Sequence, residues 1–149
     1  MSKAVPDQIR VIGCGMIARE ILAVCEQLKL DHIDLKCLPA MWHHHPEKIT
    51  PGIETAIRSA REEGFQHIFV AYADCGTGGQ LQSKCDELGV EMVRGPHCYS
   101  FFEGNEVFAG RDEVTAFYLT DFLVRQFDAF VWEPLGLGRH PDLRDMYFG

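Results

Sequence analysis

The stretch His67-Ile68-Phe69-Val70-Ala71-Tyr72-Ala73-Asp74-Cys75-Gly76-Thr77-Gly78-Gly79 decides the fold. Its first six residues are the most strongly apolar short run in the chain, as a central parallel strand covered on both faces requires. The glycine-rich turn after it leads into a helical stripe, Leu81, Cys85 and Leu88, which Gly89 ends. Working outward, the same alternation returns. Ile9 to Ile12 runs into Gly13-Cys14-Gly15 and then into apolar residues at helical spacing, Ile17, Ile21, Val24, Cys25 and Leu28. His32 to Leu38 is a second β-prone run closed by Pro39, and Met41 to Lys48, rich in His and Pro, reads as loop. Thr50-Pro51 reads as an N-cap with proline at the first helical position, ahead of a stripe of Ile53, Ala56, Ile57 and Ala60 that stops at Gly64. Val90 to Val93 makes a fourth strand leading into Gly95-Pro96-His97-Cys98. Farther on, Thr115 to Leu119 reads as another strand, and Thr120 as the cap of a helix carrying Leu123, Phe127, Phe130 and Val131. The pattern predicts a three-layer α/β fold with a mainly parallel sheet and cysteine turns at the strand ends, in a single domain over residues 1–149.

Composition limits the function. The chain has 149 residues, with 14 Lys and Arg against 22 Asp and Glu, a formal charge of −8. No Lys/Arg stripe is present to displace counterions from a phosphate backbone, so nucleic acid is not an expected partner. No apolar run approaches the ~20 residues that span a bilayer, so no membrane is expected either. The opening MSKAVPDQIR lacks the apolar core of an export signal, which predicts a cytoplasmic protein. The apolar strip Leu119, Phe122, Leu123, Phe127 and Phe130 exceeds what a small core covers, which predicts a homodimer.

Six cysteines are too few for a disulfide scaffold and point to metal or redox chemistry. In an open parallel sheet, ligands bind beyond the carboxyl ends of the strands, and four cysteines fall there: Cys14, Cys37, Cys75 and Cys98. Cys25 and Cys85 lie on helical stripes and read as packing residues. Cys14, Cys75 and Cys98 sit in glycine-bearing turns, where a thiol near a helix N-terminus ionises readily and the thiolate binds soft metals. Cys37 belongs to its strand and ranks below them. The spacing is not a local CxxC pair, so the metal reading depends on the topology. His43 is the imidazole candidate for the same cleft; His44, His45 and His97 are neighbours whose roles the residues alone leave open.

Gly13-Cys14-Gly15-Met16-Ile17-Ala18 also fits G-x-G-x-x-G/A between a strand and a helix, the dinucleotide fingerprint. The second strand, however, ends Lys36-Cys37-Leu38-Pro39, without the acidic residue that binds a ribose. The turn at Gly76, Thr77 and Gly78 offers backbone N–H groups for an anionic substrate or simply makes a tight bend. Gly13 and Gly15, with Gly76, Thr77 and Gly78, are therefore the cofactor-binding candidates.

Five pieces of the chain resemble the DUF1638 family of bacteria and archaea: Val11-Ile12-Gly13-Cys14-Gly15-Met16-Ile17-Ala18-Arg19-Glu20, His43-x-x-Pro46-Glu47-Lys48-Ile49, Tyr72-Ala73-Asp74-Cys75-Gly76-Thr77-Gly78-Gly79, His97-Cys98-Tyr99 and Tyr118-Leu119-Thr120-Asp121-Phe122-Leu123. The resemblance implies that the three turn cysteines and a histidine at position 43 belong to the family pattern. It also implies a setting beside corrinoid-dependent methyltransferases of one-carbon metabolism. Family members usually carry Asn where His44 stands. They extend farther at the C-terminus, so a chain ending Met146-Tyr147-Phe148-Gly149 is expected to lack a final strand and helix.

Three functions follow as expectations. The first is a metal-binding protein, a candidate metal-dependent transferase, in which Cys14, Cys75, Cys98 and His43 hold Zn²⁺ or a [4Fe-4S] cluster with an open position for a small-molecule substrate. The second is a non-catalytic corrinoid or metal accessory protein that partners a methyltransferase or a corrinoid protein; corrinoid ranks behind the metals because D-x-H-x-x-G is absent. The third is a nucleotide-binding α/β domain.

Overall fold

The computed structural model describes residues 7–111 and 118–148. Two compact units are distinguished, Met1–Asn105 and Glu106–Gly149.

The first unit holds the sheet. Strands β1 (Ile9–Cys14), β2 (Ile33–Leu38), β3 (His67–Ala71) and β4 (Glu91–Met92) lie in the order β2-β1-β3-β4, all parallel. The register sets Ile9 beside both Ile33 and His67, and Cys14 beside Leu38, so the strands finish at a common edge. Helix α1 (Ala18–Gln27) connects β1 to β2, α2 (Ile49–Glu62) connects β2 to β3, and α3 (Gln80–Leu88) connects β3 to β4. Right-handed crossovers put α1 on one face of the sheet and the α2–α3 pair on the other, which makes the three layers. The core is densest on the α2–α3 side, where Ile12, Ile53, Ile57, Val70, Leu81 and Cys85 are fully buried.

Three local expectations are corrected. Thr50 does not cap α2: a 3₁₀ turn over Pro46–Lys48 feeds the helix at Ile49, and Thr50 and Pro51 fall inside its first turn. Pro51 costs little there, because a first-turn N–H has no partner within the helix. The loop over Met41 to Lys48 is correspondingly more ordered than expected, with a second 3₁₀ turn at Ala40–His44. The α1 stripe is also not uniformly buried. Ile17 is covered and Cys25 is half-buried, but Val24 and Leu28 are 50% and 62% exposed. Helical spacing places Val24 and Leu28 on the stripe but does not by itself supply something to cover them.

At the sheet end away from the cysteines, Arg10 is only 5% exposed. Its Nη2 donates to Asp34 and to Glu63, each at 2.8 Å, and its guanidinium carbon stands 4.1 Å from the centre of the Phe65 ring. These contacts compensate a charge that would otherwise be costly to desolvate.

The second unit contains most of α4 (Asn105–Ala109), then α5 (Asp121–Arg125), a π-helical turn at Asp128–Trp132, and α6 (Arg144–Phe148). Thr120 caps α5 as expected, its Oγ1 accepting from Leu123 N at 3.3 Å. Phe122 and Phe130 meet edge to face at 4.9 Å. Of the apolar strip, Leu123 and Phe130 are buried and Leu119 is 55% exposed. Most of the strand expected over Thr115 to Leu119 lies outside the described residues; Tyr118 to Thr120 has no regular structure. No described helix is long and apolar enough to cross a membrane.

Candidate functional site

The three turn cysteines meet at the carboxyl edge of the sheet. Cys14 is the last residue of β1 and leads into a 3₁₀ turn at Gly15–Ile17, whose Met16 N–H points at its sulfur. Cys75 and Cys98 converge because the β3–β4 pairing outlasts the strands. Asp74 N donates to Gly95 O at 3.0 Å, and Cys75 N to Pro96 O at 2.9 Å. Cys98 then opens a 3₁₀ turn through Phe102, held by Ser100 Oγ donating to His97 O at 2.7 Å. The sulfurs of Cys75 and Cys98 stand 3.5 Å apart, and the Cys98 thiol also interacts with that of Cys14.

Cys75 adopts φ +49°, the left-handed region that non-glycine residues rarely enter. The next turn holds it there. The Asp74 carboxylate accepts from Gly79 N at 2.7 Å, Thr77 Oγ1 at 3.0 Å and Gly78 N at 3.3 Å. Those hydrogen bonds keep the Asp74 carboxyl well below the usual carboxylate range, the Gly79 N–H contributing most. The Gly78 N–H is therefore directed at the loop's own carboxylate and the Thr77 N–H at the Asp74 carbonyl, 2.9 Å away, so the turn braces the Cys75 backbone. Gly13 and Gly15 likewise give their space to protein. A Cβ on Gly15 would stand 3.0 Å from both Ala40 N and Leu38 O, and one on Gly13 would stand 3.2 Å from Ile21 Cδ1.

Electrostatics divide the three thiols. The neighbouring Cys98 thiol, aided by Met16 N–H and Tyr72, holds Cys14 at about 7 against the cost of burial. Cys98 also lowers Cys75. Cys98, placed against two sulfurs that favour ionisation, is pushed strongly up and keeps its proton. Cys14 and Cys75 are thus the two sulfurs inclined to ionise, and Cys98 is the one that holds its proton against them.

Two tyrosines lie beside the sulfurs, and histidines pack on one of them. Tyr72, 1% exposed, lies close enough to Cys14 to favour its thiolate, and its hydroxyl makes no hydrogen bond of good geometry. Tyr99, raised by burial and by the three nearby cysteines, places its hydroxyl 3.3 Å from His43 Nε2. Its ring lies 5.7 Å from that of His43 and 5.3 Å from that of His97. Burial lowers the pKa of His43, with His44 and His97 adding to it, and burial lowers that of His97. His44 packs edge to face on His43, whereas His45 turns to Glu47. Cys37 is half-buried, its thiol raised by desolvation and then by Cys14, and Cys85 is buried in α3 and pushed up to about 11. Sequence reasoning missed Tyr72 and Tyr99 as site residues. Their signal was position, since one ends the apolar run before the Cys75 turn and the other follows Cys98.

Among the described residues, no three His, Cys, Asp or Glu side chains form a ready-made metal-ligand set. The Cys75 and Cys98 sulfurs instead lie 3.5 Å apart, and Cys98 also interacts with Cys14. The DUF1638 family, described as a protein of unknown function, matches residues 37–149, more than half of the chain. The chain belongs to the DUF1638 family. The DUF1638 match takes in Cys75, Cys98, Tyr72, Tyr99 and His43, while Cys14 precedes it. No curated protein and no solved structure matches the chain.

The His43 segment is seated by two packing contacts. A Cβ on Gly76 would stand 3.3 Å from Pro46 Cγ, and one on Gly52 in α2 would stand 2.1 Å from Trp42 Cζ3. Gly52→Ala is therefore expected to expel the indole from its seat. The cost should be about 1–3 kcal/mol in urea melts, with a shift in tryptophan emission, because overpacking forces neighbouring side chains off their rotamers. Unchanged stability and emission would refute this account of how the His43 segment is held.

Proposed function

We propose that this chain is a metal-binding protein of one-carbon or sulfur metabolism, in which Cys14, Cys75 and Cys98 hold a single soft-metal ion, Zn²⁺, with one open position for a small-molecule substrate. The observation that carries the reading is the 3.5 Å separation of the Cys75 and Cys98 sulfurs. Two thiolates at ~2.3 Å from a tetrahedral ion stand ~3.8 Å apart, so little movement is needed to admit one ion. The cysteine sulfurs of a [4Fe-4S] cluster lie roughly 6 Å apart, which would require the turns to open.

The donor set fits zinc: three sulfurs, two already inclined to ionise, with Tyr72 and Tyr99 beside them. Zinc held there supplies a Lewis acid able to keep a substrate thiol ionised at neutral pH. Tyr72, beside Cys14, favours the ionised sulfur. Tyr99 and His43 border the cluster and orient what enters. The one-carbon setting rests on the family resemblance alone.

Cobalt substitution tests the reading. Metal-free, reduced protein titrated with Co²⁺ should develop sulfur-to-metal charge-transfer absorption that saturates near about one equivalent and is displaced by Zn²⁺. A titration without thiolate charge-transfer bands would overturn it.

A further inference from the structure

We propose that Cys75 and Cys98 are also a site of reversible oxidative modification: a vicinal dithiol that closes to a disulfide and thereby unloads the metal site. The first observation is the 3.5 Å between their sulfurs in the reduced chain, so closure to a ~2.05 Å bond requires only a short approach. The second is the backbone. Cys75 and Cys98 sit on two segments joined by the Cys75 N to Pro96 O hydrogen bond, and the Cys75 turn contains Gly76, Gly78 and Gly79, all at positive φ. That arrangement keeps the two residues opposite each other, so the side chains alone can supply the short approach. The third is unequal access: Cys75 is partly exposed, whereas Cys98 and Cys14 are 7% and 6% exposed.

Access fixes the order of events. The oxidant is a low-molecular-weight disulfide. The Cys75 sulfur attacks one of its sulfurs, forming a mixed disulfide and releasing one small thiol. The Cys98 sulfur then attacks the Cys75 sulfur, closing the protein disulfide and releasing the second small thiol. Two protein thiols are oxidised, one small disulfide is reduced to two thiols, and the two protons go to those thiols. Cys14 remains reduced, and one sulfur cannot retain a metal that needs three. The cross-link itself stands independently of the proposed function, but its consequence for metal rests on that reading.

The test uses the full chain, reduced and metal-free, treated with oxidised glutathione, then alkylated and mapped by peptide mass spectrometry. The expected product is a Cys75–Cys98 cross-link with Cys14 alkylated, reversed by dithiothreitol. A Cys14–Cys98 cross-link, or glutathione retained on Cys75 without closure, would overturn the proposal. A parallel sample preloaded with Zn²⁺ should form the cross-link at least tenfold more slowly. Closure at an unchanged rate would count against zinc at these sulfurs while leaving the dithiol intact, so the two ideas fail separately. In Cys75→Ser, glutathione should no longer be taken up at this site; uptake on Cys98 at the original rate would overturn the assigned order of attack.

Discussion

Cys98→Ser protein is expected to lose stoichiometric zinc. The Cys98 sulfur stands 3.5 Å from that of Cys75 and interacts with that of Cys14, so its removal deletes the donor that links the other two. Structural zinc sites bind with about 10–16 kcal/mol across four donors, which assigns roughly 3 kcal/mol to one thiolate and at least about a hundredfold in Kd. Cys14→Ser and Cys75→Ser should behave in the same way. Cys85→Ala removes a sulfur that is 0% exposed inside α3, so it should cost about 1–2 kcal/mol of stability from lost packing and leave metal content unchanged. Equilibrium dialysis followed by elemental analysis, with urea melts on the same samples, reads both quantities. Full zinc occupancy in Cys98→Ser would remove the sulfur cluster from the proposed function.

Arg10→Met should destabilise the fold by about 2 kcal/mol, a fall in Tm of roughly 5–8 °C for a chain of this length. Breaking a fully buried ion pair costs more, but the Asp34 and Glu63 side chains keep 42% and 32% of their surface in water and can be rehydrated when the guanidinium goes. The sign of the pH dependence follows from Glu63. Its hydrogen bond to Arg10 holds its carboxyl below the usual range in the folded chain. A depressed carboxylate contributes stability above its unfolded pKa and loses it as pH falls through the folded value. The stability gap between wild type and Arg10→Met should therefore narrow on acidification below about pH 4.5. Denaturant melts across that interval check it; a gap that widens toward acid would show that Arg10 does not act through its carboxylates.

The alternation of strand and helix was legible because each element carried its own period. The apolar run ending at Tyr72, the Gly89 stop and the Thr120 cap are all local signals, and each appears in the structure. What could not be read depended on partners distant in sequence. Val24 and Leu28 share a helical stripe with Ile17, but whether a stripe is buried depends on what lies opposite. Thr50 looked like a cap because Thr-Pro often opens a helix, and only the preceding Pro46–Lys48 turn moves the start to Ile49. Three of the site sulfurs were found by placing cysteines at strand ends. Asp74 turning its carboxylate into its own loop was not foreseeable, because a glycine-rich turn offers the same amides to an internal or an external anion.

The β3–β4 pairing continues past the two-residue β4 to the hydrogen bond between Cys75 N and Pro96 O. Strand β4 has two residues and lies at the sheet margin, where fraying costs least. The distance between two sulfurs is thus kept by a seam at the margin of the sheet. A ligand that clamps those sulfurs also fastens the seam, and loosening the seam releases the ligand. Occupancy of the site and integrity of the sheet margin are one equilibrium seen from two ends.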